Sequence, residues 1–446
     1  MRVGLITLGC DKNTVDNEYL AGILEDRGCK VCAEPEAFKG LEAVVVTTCG
    51  FIGDAKKQSI DCIVGLADNK NAEGWPKRIF VAGCLAQRHS ADLLREIPEI
   101  DGIVGVGQFE QLADMILKGA PESKIAVENT PKVDIYRYMR RRRLDKAPYA
   151  FLKIADGCNH RCSFCSIPRM KGRYHSVAPD ILLLEAQALL RQGVREINLV
   201  AQDISVYGQD RQDGYGLVRL LNELCALKGD FWIRCLYCYP GGVTTELLKT
   251  MAEQPKIVPY LDIPLQHFDL PVLRAMRRPA RSTAVPRLLA KIRAAVPGIT
   301  LRTTLIVGFP GETLQAHRCM LENIEALRFE RLGAFMYSQE EDTAASTAPR
   351  QVGEATKVRR WNAVMETQTT IAAEWCAGRV GRVERVLIEG YDEERGQYTA
   401  RGASEAPEID GSVFVESVSP LKTGTFVDVE IIDSEIHDVV GRVLKK

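Results

Sequence analysis

The sequence lacks any apolar run of the roughly 18 residues that a membrane-spanning helix needs. No basic segment followed by an apolar one stands at Met1. We therefore expect neither a membrane protein nor a secreted precursor, and we predict a cytoplasmic location. An excess of one charge is also missing, because 58 Lys and Arg residues oppose 59 Asp and Glu residues, a net charge of -1. So balanced a chain is no general binder of nucleic acid, although one domain can still carry a strong local charge.

Cysteine, in contrast, is plentiful, with 14 residues in a chain of 446. The cytosol keeps thiols reduced, so clustered cysteines there indicate metal binding or catalysis rather than disulfides. The length is about three times the ~150 residues expected of one domain. This length predicts two or three domains, each large enough to bury an apolar core.

Residues 1–120 alternate short apolar runs with helical stretches, which is the pattern of a parallel sheet wound by helices on both faces. The sequence therefore predicts a doubly wound α/β domain. The N-terminal helix caps are predicted at Asp11 or Asn13 and at Asp54. Strands are predicted at residues 2–9, 42–49 and 77–84, and helices at 15–27 and 54–67.

The alternating pattern stops at residues 121–147, which we interpret as a linker. Tyr136, Arg137 and Tyr138 are followed there by four consecutive arginines at 140–143. Such a run is typical of a solvated basic face, and contact with an acidic ligand or with nucleic acid is the alternative.

Residues 148–377 repeat a strand followed by a helix-sized stretch. Six such units predict a partial (β/α)6 barrel, which would carry its chemistry at the carboxyl ends of the strands. A helix around 353–375 leads out of it. The strands are predicted at 151–155, 196–201, 231–237, 258–263, 300–307 and 331–337, with helices such as 179–191 and 283–295 between them.

Residues 378–446 carry short alternating strands broken by turns, at 382–388, 412–415, 426–432 and 439–443. The pattern predicts a small C-terminal β-barrel of the oligonucleotide-binding type. This segment holds nine Lys and Arg residues against fourteen Asp and Glu residues, a net charge of -5. An acidic surface gains nothing from counterion release at phosphates, so we expect no direct binding of nucleic acid by this barrel.

The most specific motif is a CxxxCxxC formed by Cys158, Cys162 and Cys165 directly after the first barrel strand. Three thiolates at this spacing can hold three irons of a four-iron cluster and leave the fourth iron open to another ligand. The alternative is a zinc site with His160 as fourth ligand, because structural zinc sites normally have four.

A second set of three cysteines follows three predicted parallel strands. Cys10, Cys49 and Cys84 each lie at or just after a carboxyl strand end, and such ends meet at one edge of an open α/β sheet. Residues about 35 to 40 positions apart would become neighbours there, which predicts a second three-thiolate cluster site. The alternative is three buried cysteines that act as small apolar side chains.

Two CxxC pairs, Cys29 with Cys32 and Cys235 with Cys238, have a spacing that redox and metal sites also use. The first pair flanks a turn into a short strand and the second falls along a barrel strand. We interpret both pairs as structural.

Polar and glycine residues also follow two of the barrel strands. Gln202 and Asp203 follow the second strand, and Gly308, Gly311 and Glu312 follow the fifth. Glycines let a backbone approach a ligand closely, and a carboxylate there can bind an amino group or a hydroxyl. A tight turn with a helix cap is the alternative.

Seven motifs, spread over nearly the whole chain, resemble the radical S-adenosylmethionine methylthiotransferases, and within them the branch that modifies a ribosomal protein. The CxxxCxxC motif alone is typical of a broad superfamily with many reactions. The additional cysteines Cys10, Cys49 and Cys84 indicate, within that superfamily, the methylthiotransferases. The motifs are LGCDKNTVDNE (8–18), TTCGFIGDAKKQSI (47–60), AGC (82–84), KIADGCNHRCSFCSIPRMKGRY (153–174), VAQDISVYG (200–208), YLDIPLQH (260–267) and LRTTLIVGFPGET (301–313).

The resemblance implies two four-iron four-sulfur clusters, one on Cys10, Cys49 and Cys84 and one on the CxxxCxxC thiolates. The second would bind and reduce S-adenosylmethionine to release a 5'-deoxyadenosyl radical, and the first would carry the sulfur that is methylated and inserted into a C–H bond. The C-terminal barrel would be TRAM-like. The predicted contacts of S-adenosylmethionine are Phe164, Gln202, Asp203, Gly308, Gly311 and Glu312.

In this branch the substrate is the β-carbon of an aspartate in small-subunit ribosomal protein twelve, free or in the small ribosomal subunit. The electron would come from a donor such as flavodoxin or ferredoxin. The sister branch modifies a tRNA adenosine and holds RNA with its C-terminal barrel. The charge of -5 on the barrel favours a basic ribosomal protein over RNA. A non-catalytic iron- or zinc-binding ribosome factor is the third hypothesis.

Overall fold

The computed structural model describes residues 1–34, 39–128, 140–278 and 284–444. Tyr136, Arg137 and Tyr138 of the predicted linker lie outside the described residues. Within the described residues no helix is long and apolar enough to cross a membrane. The chain divides into two compact units. The first contains Met1–Lys146, Lys153–Glu185 and Ser338–Ser346, and the second contains Ala147–Leu152, Ala186–Tyr337 and Thr347–Lys446.

The first unit is built on a six-stranded sheet with the order β2-β1-β3-β4-β5-β6 and parallel pairing throughout. β3 is buried along its whole length, as expected of a central strand that helices cover on both faces. The strands are β1 (Arg2–Thr7), β2 (Lys30–Cys32), β3 (Ala43–Thr48), β4 (Arg78–Gly83), β5 (Ile100–Val104) and β6 (Ile125–Ala126), and the helices are α1 (Asp11–Asp26), α2 (Gly53–Glu73), α3 (Cys84–Glu96) and α4 (Phe109–Lys118).

The predicted caps of α1 and α2 are wrong. Cys10 and Ile52 occupy the N-cap positions, and neither helix start has a side-chain cap hydrogen bond. Asn13 is instead used elsewhere, because its amide donates to the carbonyls of Leu8 and Thr48. The polar residues at the start of α1 thus bind the strand ends rather than the helix end.

The arginine run at 140–143 is only in part the solvated face that the sequence predicted, since the side chains of Arg140 and Arg142 are exposed and that of Arg141 is not. The side chain of Arg141 is 3% exposed and forms ion pairs with Glu18 and Glu185. Burial of a guanidinium requires such partners, which a charge run alone does not reveal. The other three arginines also pair with carboxylates of this unit: Arg140 with Asp26, Arg142 with Glu25 and Arg143 with Asp145.

The first unit also contains the segment that carries the CxxxCxxC motif. It includes a short antiparallel pair, β8 (Ala155–Asp156) with β9 (His175–Ser176), and the one-turn helix α5 (Ile167–Lys171). These elements bring the segment back on itself, so that its two ends lie side by side.

The second unit contains a six-stranded sheet with the order β14-β13-β12-β11-β10-β7, parallel from β10 to β14. All six predicted barrel strands are present. They are β7 (Tyr149–Lys153), β10 (Glu196–Val200), β11 (Trp232–Cys235), β12 (Ile257–Asp262), β13 (Thr300–Val307) and β14 (Arg331–Met336), and the helices are α6 (Pro179–Arg191), α7 (Leu217–Cys225), α8 (Thr245–Glu253), α9 (Leu270–Ala275), α10 (Ala284–Ala295), α11 (Leu314–Leu327) and α12 (Glu354–Ala377).

A closed five-stranded barrel ends the second unit, with the order β15-β16-β17-β19-β18. Val386, Val413, Val429 and Ile431 belong to its core. β16 was not predicted, because its sequence QYTARG has little apolar alternation. The strands are β15 (Val383–Asp392), β16 (Gln397–Gly402), β17 (Val413–Glu416), β18 (Phe426–Ser434) and β19 (Val439–Val443).

Buried ion pairs connect this barrel to the parallel sheet of the same unit. Arg234 of β11 lies 2.7 Å from Glu196 of β10 and donates to the carbonyls of Gly402, the last residue of β16, and of Ala403. Arg331, the first residue of β14, lies 2.9 Å from Glu405, which also binds Arg379 at 2.6 Å. Removing one partner of such a pair leaves an uncompensated buried charge.

Acid should weaken this connection. Burial raises the pKa of Glu405, but Arg379 and Arg331 outweigh it, so the pKa lies below its usual 4.5. A carboxylate of this kind stabilises the fold above its unfolded pKa and loses that contribution as the pH falls through its folded value. Urea unfolding should therefore show stability that declines below about pH 4.5.

The Glu405→Gln variant should be less stable at pH 7, by about 3 kcal/mol, and should lose less stability on acidification than the unchanged chain. An identical pH dependence in both proteins would contradict the role assigned to Glu405.

Candidate functional site

The parallel sheet of the first unit brings Cys10, Cys49 and Cys84 to one edge. Cys49 directly follows β3, Cys84 directly follows β4, and Cys10 comes three residues after the end of β1. β3 pairs with both other strands, with Thr7 opposite Thr47 and Thr48 opposite Gly83. The three sulfur-bearing positions therefore follow adjacent strand ends.

The turn before Cys10 depends on a glycine. Gly9 has a φ of +98°, and a Cβ at this position would lie 2.5 Å from the Cβ and 3.1 Å from the Sγ of Cys49. A side chain at residue 9 would thus occupy the space that Cys49 fills. The close approach of the two cysteine loops requires glycine there.

Two asparagines of α1 fix the strand ends beside the cysteines. The Asn17 amide donates to the hydroxyl of Thr7 at 2.6 Å, and its oxygen accepts a hydrogen bond from the hydroxyl of Thr47. Asn13 binds the carbonyls of Leu8 and Thr48 at 2.7 and 3.2 Å. These asparagines were missed as site residues, although their i, i+4 spacing on a buried helix face was a readable signal.

The three thiols have different surroundings. Cys10 is exposed, Cys49 is half-buried and Cys84 is buried. Burial raises the pKa of Cys84 to about 12 and also raises the pKa of Cys49. Without a metal these two groups are neutral thiols, so metal binding here would have to release protons.

The CxxxCxxC segment is held at both ends by backbone bonds. Cys158 donates its N–H to the carbonyl of Gly172 at 3.2 Å, and Cys165 donates to the carbonyl of Cys162 at 3.2 Å. The Sγ of Cys165 accepts the N–H of Ile167 at 3.4 Å. The three cysteines and the predicted contact Phe164 are all half-buried in this loop.

The two cysteine sets belong to the same unit, and α5 contacts the first of them. Met170 and Cys84 pack together with Val106 in a small buried cluster, and Ile167 packs against it. The helix that directly follows the CxxxCxxC loop therefore covers the most buried thiol of the other set.

Soft sulfur ligands suit iron–sulfur clusters and zinc alike. Among the described residues, no group of three or more His, Cys, Asp or Glu side chains is arranged to hold a metal ion. A zinc site of the three CxxxCxxC thiols and His160 would require all four ligands to converge on one ion. Three thiolates are enough for a four-iron cluster with one open iron, whereas a closed zinc site needs a fourth ligand. The three-thiolate donor set therefore fits a cluster.

A buried group of four charges connects α1 to the CxxxCxxC segment. Lys153 forms ion pairs with Asp16 and Asp156, and Lys171 lies 3.4 Å from Asp16 and 3.3 Å from Asp156. Burial lowers the pKa of both lysines, but the two carboxylates outweigh it and raise the pKa overall. The two positive and two negative charges of this group thus neutralise each other.

The segment Ser338–Ser346 supplies a further buried carboxylate to the first unit. Glu340 lies 2.7 Å from Lys56 of α2 and 3.1 Å from Arg88 of α3. Ala345 of the same segment donates to the carbonyl of Ser163, inside the CxxxCxxC loop, at 2.8 Å. Sequence reasoning missed this segment, since it lies far along the chain from both cysteine sets.

In the second unit, Gln202 and Asp203 follow β10 as predicted. The Oδ1 atom of Asp203 accepts hydrogen bonds from the N–H and hydroxyl of Ser205, at 2.9 and 2.6 Å, and from the N–H of Tyr239 at 3.3 Å. Asp203 therefore shapes its own loop. Gln202 is half-buried and its side-chain oxygen has no hydrogen-bond partner.

The loop after β13 is shaped by Glu312. Gly308 and Gly311 have φ values of +72° and +84°, and the N–H of Gly308 donates to the Glu312 carboxylate. Burial raises the pKa of Glu312, but donors from His267 and Arg360 outweigh it, so the pKa lies below its usual value. The ionised carboxylate can thus hold the glycine turn.

The CxxC pairs match a structural role. Cys235 and Cys238 are fully buried, at the end of β11 and just after it, and burial raises the pKa of both thiols. Cys29 is buried beside β2 and Cys32 is half-buried at its end. Neither pair belongs to the cysteine sets described above.

Three family models match the chain. The Radical SAM superfamily model covers residues 152–322, the Uncharacterized protein family UPF0004 model covers residues 2–105, and the TRAM domain model covers residues 380–444.

The chain is also similar to curated proteins described as ribosomal protein uS12 methylthiotransferase RimO. It is 38% identical to the protein from Pelobacter propionicus, over 100% of this chain and 98% of that protein. It is 42% identical to the protein from Pelotomaculum thermopropionicum, over 100% of this chain and 99% of that protein.

Among solved structures, the radical S-adenosylmethionine methyltransferase TsrM from Kitasatospora setae is similar, with a TM-score of 0.59, 16% identity and 77% of each chain covered. The predicted α/β fold is thereby confirmed.

The four-charge group generates a stability prediction. Asp16→Asn keeps the side-chain shape but removes the charge that Lys153 and Lys171 share, so two buried cations would depend on Asp156 alone. We expect a loss of about 3 kcal/mol in the free energy of unfolding, measured with urea.

Asp61→Asn on the exposed face of α2 is the matched control and should change stability by less than about 0.5 kcal/mol. Equal stabilities of the two variants would show that the four-charge group is dispensable.

Proposed function

Because the chain belongs to the RimO family of radical S-adenosylmethionine methylthiotransferases, we propose that it inserts a methylthio group into ribosomal protein uS12, at the β-carbon of an aspartate. The observation that carries this proposal is the presence of two three-cysteine sets in one compact unit. A methylthiotransferase needs two sites, one for making a radical and one for supplying sulfur.

In this proposal Cys158, Cys162 and Cys165 hold one four-iron four-sulfur cluster, and the strand-end set of three cysteines holds a second. When bound, the clusters supply an electron to S-adenosylmethionine and sulfur for insertion. The chain's own contribution is to fix the thiolates and limit water: Asn13 and Asn17 hold the strand ends, and α5 covers Cys84.

The residues proposed to contact S-adenosylmethionine fall in three segments of the chain. Phe164 belongs to the CxxxCxxC loop, Gln202 and Asp203 follow β10, and the glycine turn 308–312 follows β13. The support is strongest for Gln202, whose side-chain oxygen is buried without a partner and can accept a hydrogen bond from a ligand. The position of these loops at carboxyl strand ends agrees with the usual place of a barrel's ligand.

The acidic C-terminal barrel supports a protein substrate. Its net charge of -5 opposes phosphate and would attract a basic ribosomal protein. A tRNA adenosine is the second candidate, because the TRAM domain match does not by itself separate protein from RNA. A ribosomal substrate also supports the predicted cytoplasmic location, and an electron donor such as flavodoxin or ferredoxin stays a prediction.

An anaerobic assay tests the proposal. The chain is reconstituted with iron and sulfide and given S-adenosylmethionine and a reductant, with uS12 and tRNA offered in parallel and weighed by mass spectrometry. Gain of one sulfur and one CH2 on a uS12 aspartate supports the proposal, and the same gain on tRNA moves the function to the second candidate. Zinc without acid-labile sulfide in the purified protein would favour a non-catalytic factor instead.

Two cysteine variants should separate the two proposed clusters. Cys162→Ala should abolish release of 5'-deoxyadenosine, because one thiolate of the radical site is lost. Cys49→Ala should leave that release intact and stop methylthiolation, which liquid chromatography and mass spectrometry follow together. Cys62→Ala on α2 is the control and should keep both activities. Normal methylthiolation by Cys49→Ala would refute the second cluster.

A further inference from the structure

A carboxylate from the C-terminal barrel reaches the parallel sheet of the second unit. Asp410, in the connection between β16 and β17, is almost fully buried. Its Oδ2 atom accepts hydrogen bonds from the Tyr260 hydroxyl of β12 at 2.6 Å and from the N–H of Ala406 at 2.9 Å. Its Oδ1 atom lies 3.7 Å from the Nε atom of Arg302 on β13. Asp410 thus contacts two strands of the sheet at once.

Arg302 also contacts a second carboxylate, that of Asp262. Its Nη1 atom donates to the Oδ1 atom of Asp262 at 3.2 Å and to the hydroxyl of Thr304 at 3.2 Å. Asp262, the last residue of β12, is itself buried. The guanidinium therefore lies between two carboxylates, with a hydrogen bond to Asp262 of the sheet and a longer ion pair to Asp410 of the C-terminal barrel.

Asp262 in turn holds a strained turn. Its Oδ2 atom accepts the N–H of Tyr237 at 3.1 Å, and its carbonyl accepts the N–H of Cys238 at 2.8 Å. Tyr237 has a φ of +61°, a left-handed conformation that a bulky residue adopts only when its surroundings enforce it. The two hydrogen bonds that Asp262 accepts help to hold Tyr237 in this conformation.

The strained turn is bonded to the loop that follows β10. The carbonyl of Tyr237 accepts the N–H of Ile204 at 3.0 Å, and the N–H of Tyr239 donates to the Oδ1 atom of Asp203 at 3.3 Å. Gln202, with its unpartnered buried oxygen, is the neighbouring residue of this loop. An unbroken series of polar contacts therefore runs from the C-terminal barrel to the proposed contacts of S-adenosylmethionine.

We propose that Asp410, Arg302 and Asp262 are positioning residues through which the C-terminal barrel fixes the loop at Gln202 and Asp203 for binding of S-adenosylmethionine. This inference rests on the proposed function for the identity of the ligand. The C-terminal barrel would then hold the loop at Gln202 and Asp203 in place, in addition to any contact that it makes with the substrate. Such a role requires no contact between the C-terminal barrel and S-adenosylmethionine itself.

Hydrogen exchange followed by mass spectrometry tests the positioning without any ligand. In the Arg302→Gln and Asp410→Asn variants of the full chain, amides at residues 203–208 and 236–239 should exchange about tenfold faster than in the unchanged protein. Glu416→Gln, which removes an exposed pair with Arg442 in the same barrel, is the control and should leave both segments unchanged. Unchanged exchange in both test variants overturns the inference.

A third variant, Tyr260→Phe, keeps the test decisive if Arg302→Gln or Asp410→Asn fails to fold. It removes only the hydroxyl that donates to Asp410 and keeps the ring. It should speed exchange in the same two segments, by a smaller factor, with little change in the melting temperature. If the other variants unfold and Tyr260→Phe exchanges like the unchanged protein, the inference fails.

Equilibrium dialysis with S-adenosylmethionine on the reconstituted protein gives the second readout. The dissociation constant should rise about tenfold in Arg302→Gln and in Asp410→Asn, and no further in the double variant, because both act through one series of contacts. Fully additive effects would overturn the coupling. If the unchanged protein does not bind S-adenosylmethionine, the proposed function fails, whereas the exchange experiment still decides whether Asp410 and Arg302 fix the loop.

Discussion

The parallel hydrogen bonding of β1, β3 and β4 is the interaction on which the proposed site depends. Its register sets Thr7 opposite Thr47 and Thr48 opposite Gly83, so chain positions some 35 to 40 residues apart end at one edge. A shift of one strand against its neighbour would separate the cysteine loops, and Gly9 would no longer meet Cys49. The asparagines of α1 add side-chain bonds at the point where the ladder ends, where backbone pairing alone is weakest.

Buried and partly buried ion pairs also position the chain in both units. In the first unit, Lys153 and Lys171 with two aspartates connect α1 to the CxxxCxxC segment. In the second unit, Arg302 lies between carboxylates of the sheet and of the C-terminal barrel. Such groups fix geometry because each charge needs its partner at hydrogen-bonding distance, whereas apolar contacts tolerate small displacements.

The sequence was informative where a local pattern corresponds directly to structure. The recurrence of strand-like segments separated by helix-sized stretches located all six strands of the second sheet. The rule that parallel strands end at one edge of a sheet predicted that Cys10, Cys49 and Cys84 follow neighbouring strand ends. Sequence reasoning failed where partners are distant in the chain. Arg141 pairs with Glu18 and Glu185, and Lys56 pairs with Glu340, and no local pattern encodes such pairings. The absent side-chain cap of α1 has the same cause, because Asn13 is bonded to the carbonyls of Leu8 and Thr48.

The segment Ser338–Ser346 completes the first unit although it is made after all six strands of the parallel sheet of the second. During synthesis, the first unit must therefore wait for more than half of the chain, with Lys56 and Arg88 still lacking the carboxylate of Glu340. Domains usually fold in the order in which they leave the ribosome. Here Cys10, Cys49 and Cys84, the cysteines of the proposed second cluster, would stay in an unfinished unit until the late segment arrives.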